Sequence, residues 1–305
     1  MIIALATSLF LVLSFPADAH GISSVVTSAA QWSADPYILL PLYLFAILYL
    51  LGTQRVWANA GFGRGTPGLQ LACFWAGWTV LALALLSPIH ALSEQLLSAH
   101  MIEHEVIMAV AAPLLVLSRP LGNLLWALPQ AWRRRLALEI ATPLSFAWRW
   151  LTIPALATAL HSIIIWAWHV PSLFDAALVN PWLHMLQHLS FLLGAVIFWW
   201  AILNVPRMRI GVSALHLFAT MIAMTALGAL IALSPYLLYS AYQGKAEAYG
   251  LNGLDDQQLA GVIMWVPGCA IYAVAALALF GRWIKTAAIP HPLPAGTLQE
   301  LRRWA

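Results

Sequence analysis

The sequence predicts an all-α membrane protein: a seven-transmembrane helix bundle, N-out/C-in, with an interfacial amphipathic helix between spans three and four. Three observations carry this. Of 305 residues, 62% are hydrophobic and 8% charged, where soluble domains carry about 25% charged residues. Apolar stretches of about twenty residues recur along the chain, each long enough to cross a hydrocarbon layer about 30 Å thick. The basic residues gather on alternate connections between those stretches. A net charge of +3, scattered in sequence, excludes a nucleic-acid surface. The two cysteines, Cys73 and Cys269, lie inside apolar segments. They read as small packing residues rather than a disulfide or a Cys-x-x-Cys metal site.

Residues 1–19 read as a signal peptide, with an apolar core over 2–15, a breaker at Pro16 and the small-x-small end Ala17-Asp18-Ala19. No Lys or Arg precedes that core, so retention as an anchor stays open. Cleavage after Ala19 would expose His20 at the N-terminus, where amine and ring nitrogen together chelate copper well; the alternative is an exposed loop histidine. Residues 20–34 form an external linker, 35–285 the seven-helix membrane domain, and 286–305 a cytoplasmic tail.

Within that domain, spans are expected over 35–55, 68–86, 95–118, 152–170, 182–203, 212–233 and 257–283. Between the third and fourth, an amphipathic piece runs to residue 140 and sets Arg133-Arg134-Arg135 beside Trp126 and Trp132. It is expected to lie in the interface and hold anionic head groups. Connections one–two, three–four and five–six, with the span ends and tail on that side, carry thirteen Lys and Arg, and the opposite set only Lys245. That asymmetry makes the basic side cytoplasmic.

The chemistry gathers at the opposite end. His100 and His104 are four apart, as are His184 and His188. Residues at that spacing share one helix face, so each pair offers two imidazoles to one ion. Burying two polar rings on one face is costly unless something binds them. All four fall in the outer turns of spans three and five, so His100, His104, His184 and His188 are the expected metal ligands. His169 and His90 border helix ends, where a histidine also serves as a cap or head-group contact. His161 reads as a hydrogen-bonded packing residue and His216 as interfacial. Glu103 and Glu105 are expected off the histidine face, as acids that support the ligating histidines, make bundle contacts or snorkel. Met264, like Met101, Met108 and Met185, could serve cuprous copper as a thioether but more commonly fills space.

Four blocks resemble one family. They are Ser98-Ala99-His100-Met101-Ile102-Glu103-His104 running to Ala112-Pro113, Trp168-His169-Val170-Pro171-Ser172-Leu173-Phe174-Asp175, His184 to His188 followed by Phe198-Trp199-Trp200, and Asp256-Gln257-Gln258 running to Pro267-Gly268. Their order over spans two to seven is similar to that of the integral-membrane cytochrome c oxidase assembly factors called CtaG. The resemblance implies a non-enzymatic protein of the bacterial plasma (inner) membrane, with copper as its metal and cytochrome c oxidase subunits as partners. A soluble periplasmic copper donor and the lipid membrane are further expected partners, and nucleic acid is not. Positions carried over are His100, His104, His169, His184, His188 and Asp256. The competing readings are a histidine-box di-metal oxygenase or desaturase, which lacks its usual His-x-x-His-His box here, a b-type haem carrier, and a copper uptake protein, for which too few ligands lie deep in the spans.

Overall fold

The computed structural model describes residues 32–136, 141–205 and 210–287, with backbone only for 141–144 and 286–287. The expected signal peptide, His20 and most of the linker and tail lie outside the described residues. Six of the helices here begin on a proline or a capping side chain. Helix α1 (Pro36–Ala60) starts on proline, with Asp35 accepting from the Tyr37 amide at 2.8 Å, and stops at Gly61, whose φ of 94° needs glycine. Helix α2 (Gly68–Leu86) ends at Ser87, which caps the short α3 (Pro88–Ser93). Helix α4 (Leu97–Ser118) is followed by α5 (Leu121–Ala127), α6 (Gln130–Arg135) and α7 (Ala141–Leu151). Proline again opens α8 (Pro154–Trp168), α9 (Pro171–Val179) and α10 (Pro181–Leu203). Last come α11 (Ile210–Ala232) and α12 (Gly253–Lys285), joined by a loop with two short 3-10 turns at Ser240–Tyr242 and Ala246–Tyr249. No strand occurs among the described residues.

Six of these helices, α1, α2, α4, α10, α11 and α12, are long and apolar enough to cross a membrane. Their bounds fall within a few residues of the expected spans, because a run of apolar residues between breakers is a local property. The expected span over 152–170 departs from this. Pro154 starts α8 afresh, and Ser145–Leu151 meets it at a bend of 75°. Alone, α8 is 15 residues, about 22 Å. It counts as a seventh crossing only together with the preceding segment.

The expected interfacial helix is divided by Pro129. Its first part, α5, packs one side against α1, burying Asn123 and Ala127, while Leu121, Leu125 and Trp126 stay exposed on the other. Asn123 donates to Thr53 Oγ1 at 2.6 Å and accepts from Thr66 Oγ1 at 3.0 Å, while Arg55 holds the carbonyls of Trp126 and Ala127. Helix α6 is exposed as well, with Arg133 stacked 4.0 Å over Trp126. Polar side chains facing each other across two helices outweigh the amphipathic pattern, since each would otherwise be buried without a partner.

The central helix is α4, with 67% of its apolar window buried against 28–44% in the other five. Met101, Met108, Ala112 and Val116 join the core formed with α8, α10, α11 and α12. Ile107, Ala111 and Leu115 face α1 and α2. A π-helical turn at Val106–Ala111 precedes Pro113, and a second, Met264–Gly268, contains Pro267. Proline lacks the amide that would continue the α ladder, and the wider turn takes up the break. Helices α11 and α12 cross so closely that a Cβ on Gly261 would collide with the backbones of Gly228 and Ala232. Gly261→Leu is therefore expected to force them apart at a cost of about 1–3 kcal/mol. A thermal melt of the purified protein checks this, and an unchanged midpoint would refute the close crossing.

Candidate metal centre

The first two turns of α4 carry His100, Glu103 and His104; those of α10 carry His184, Gln187 and His188. α3 adds His90 from the side. The reversal Ser87-Pro88 turns α3 back across the head of α4, with Ser93 Oγ closing the turn on the His90 carbonyl at 2.7 Å. Asp256, at the head of α12, accepts from the amides of Leu97 and Ser98 and from the Ser98 hydroxyl. It thereby caps the N-terminus of α4 from another helix and sets where His100 begins.

The imidazoles converge. Ring centroids are 4.2 Å apart for His100–His104, 4.5 Å for His184–His188, 5.2 Å for His104–His188, 5.5 Å for His100–His184 and 6.1 Å for His100–His188. His90 stands 5.8 Å from His184 and 6.1 Å from His188. Rings bound to one ion at about 2.0 Å through nitrogen have centroids about 5 Å apart when the ligands are tetrahedral. The spacing therefore suits ligation. The ring orientations do not yet: His100 and His104 stand edge to face at 86°. Among the described residues, no three His, Cys, Asp or Glu side chains form a ready cage. An ion would have to turn the rings toward itself.

The hydrogen bonds leave the inner nitrogens free. His188 Nδ1 donates to the His184 carbonyl at 3.1 Å, and His100 Nδ1 lies 3.3 Å from the Ser93 carbonyl. Such bonds on one nitrogen turn the lone pair of the other toward the centre. His100 Nε2, both nitrogens of His104, and His184 Nε2 have no partner, although all are buried. Glu103 Oε1 accepts from His90 Nδ1 at 2.8 Å and lies 3.3 Å from His188 Nε2; its Oε2 is unpartnered. With the His188 proton on Nδ1, Nε2 and Glu103 Oε1 face each other as two acceptors. A cation between them, proton or metal, relieves that repulsion. Buried polar atoms are almost always satisfied, so this donor set fits a metal ion. Burial pulls the His90 pKa down, but the hydrogen bond and charge of Glu103 outweigh it and hold it above the ordinary histidine value.

A roof closes the centre. In the loop between α11 and α12, the Tyr242 hydroxyl donates to the Ser93 carbonyl at 2.6 Å and lies 3.0 Å from His100 Nδ1. Burial and the nearby acids raise the Tyr242 pKa well above its ordinary value, which keeps this donor protonated. Tyr239 donates to the His169 carbonyl, and Lys245 to that of Glu94.

The structure thus brings together His100, His104, His184 and His188. His169 lies at the edge, its ring 6.4 Å from His104, with Nδ1 on the Ile165 carbonyl and Nε2 3.5 Å from Met101 Sδ. The Asp256 carboxylate is engaged by three donors as a helix cap, a different use from ligation. Met264 packs in the core beside Met101 and Met108. His161, beneath Phe198 and 3.3 Å from the Tyr272 hydroxyl, is the packing residue expected. Of the readings open for Glu103, the structure favours the supporting partner, and it brings the carboxylate to the middle of the cluster, beside His90 and His188. The head of α4 is enclosed on nearly all sides, so a residue turned 60–100° from the histidines still faces protein. Its spacing of three from His100 was the available signal. Nothing in the sequence marked Tyr242.

Several membrane-crossing helices around a buried cluster of imidazoles and one carboxylate define a multi-pass membrane protein with a polar centre near one end. The chain belongs to the cytochrome c oxidase caa3 assembly factor family (Caa3_CtaG), whose family model matches residues 47–286. No curated protein and no solved structure matches it.

Proposed function

We propose that this protein binds one copper ion among His100, His104, His184 and His188, beside Glu103, and hands it to cytochrome c oxidase during assembly. It acts as a carrier and not as an enzyme. The observation that carries this reading is the set of buried ring nitrogens left without partners around a buried carboxylate. Imidazole holds both copper oxidation states, and a nearby thioether such as Met101 favours the reduced one. The chain crosses the bacterial plasma membrane seven times, with α8 and the segment before it as the fourth crossing, N-out and C-in. The positive-inside bias then puts the centre on the periplasmic side, where a soluble donor reaches it.

Metal analysis of the purified protein tests this. About one copper per chain is expected, falling to background in the double variant His100→Ala/His188→Ala, which draws one ring from each helix. Unchanged stoichiometry would overturn the assignment. Iron in place of copper would favour the histidine-box oxygenase reading.

A further inference from the structure

A cavity of about 1770 Å³ lies between α1 and α10 and follows α10 from Pro181 to Trp200. That length of helix rises about 28 Å, close to the thickness of a hydrocarbon core. The walls are apolar, with Leu42, Phe45, Leu192, Leu193 and Val196 among them. Three imidazoles of the centre, His90, His184 and His188, line one end, while Arg133 and Arg134 line the other. His100, Glu103 and His104 are at most 1% exposed. The loop bearing Tyr239, Tyr242 and Lys245 roofs the centre from the adjacent aqueous side. An ion held by these rings therefore meets a receiver through the cavity.

We propose that this groove docks a single transmembrane helix of the client oxidase, and that copper leaves the centre sideways into ligands on that helix. The inference rests on the copper reading above. A receiving ligand must come within about 2.0–2.3 Å of the ion, so the receiver itself has to lie in the groove. Inside apolar walls, only a helix satisfies its own backbone polar groups. Phospholipids of the two leaflets together span this depth, but they bring no imidazole, thiolate or thioether to receive the ion. The ion moves by ligand exchange: each bond to an imidazole breaks as a bond to the receiver forms, and the oxidation state of copper is unchanged. Arg133 and Arg134 repel a helix with the usual basic cytoplasmic flank, so the receiving helix carries neutral or acidic residues at that end.

The test uses the full chain co-expressed with its oxidase. A photoreactive residue at Leu193, in the groove, is expected to cross-link a transmembrane segment of an oxidase subunit, identified by mass spectrometry. The same residue at Leu230, exposed on α11, is expected not to. In a second arm, Leu193→Trp obstructs the groove at mid-depth; this chain retains its copper while the oxidase loses its own. Cross-linking to lipid alone, or an oxidase metallated normally by the obstructed variant, overturns the lateral route. A wild-type chain free of copper overturns instead the metal reading on which the route rests, and the cross-linking result is read separately.

Discussion

Glu103→Gln is expected to weaken copper binding by about 10–100-fold, the range for loss of a charged partner beside metal-bound histidine. Glu103 is fully buried, and its Oε1 stands between His90 and His188 at 2.8 and 3.3 Å. Glutamine keeps the size and one acceptor but removes the negative charge that offsets an incoming cation. It also removes a buried carboxylate whose Oε2 has no partner. Burying a charge is costly unless it is paired. The metal-free variant should therefore melt at or above the wild-type temperature. Competition against a cuprous chelator, with a thermal melt of the metal-free protein, reads both quantities. Wild-type affinity would make Glu103 a purely structural residue. A sharp drop in the melting temperature would show that its bond to His90 outweighs the charge effect.

Asp256→Ala is expected to cause the largest loss of stability, about 3–5 kcal/mol, since charge-assisted hydrogen bonds contribute about 1.5–3 kcal/mol each and removal strands buried amides. Leu97 and Ser98 would lose their partners at the start of the central helix, where Leu96 offers no side-chain cap. The first turn would fray, and His100, two residues on, would lose its position. Asp256→Asn keeps the acceptor without the charge and should recover part of the loss. In that variant, copper per folded chain should stay at the wild-type level, which separates a helix cap from a ligand. A proportional loss of copper without loss of stability would make Asp256 a ligand.

Particular residues show how far the sequence alone reaches. The pair His184 and His188 was legible because helical spacing fixes a shared face before any packing is known. The six long spans were legible for the same kind of reason, as apolar runs ending at Pro67, Ser87-Pro88 or Asn180-Pro181. By contrast, α5 had the composition of a surface helix, and its destination rested on Thr53 and Asn123, which are 70 residues apart. Asp256 was a candidate through the family resemblance alone. Its bonds to Leu97 and Ser98 across the helix gap, invisible in the sequence, give it the work of a helix cap.

Hydropathy, breakers and the four-residue histidine spacing thus determined an all-helical membrane chain with two imidazole pairs near one end, because each depends on residues close in sequence. Only the tertiary structure decided that α3 folds His90 back onto Glu103, that Tyr242 roofs the centre, and that a groove opens beside α10. Those depend on which side chains from distant helices find partners once the burial of polar groups must be satisfied.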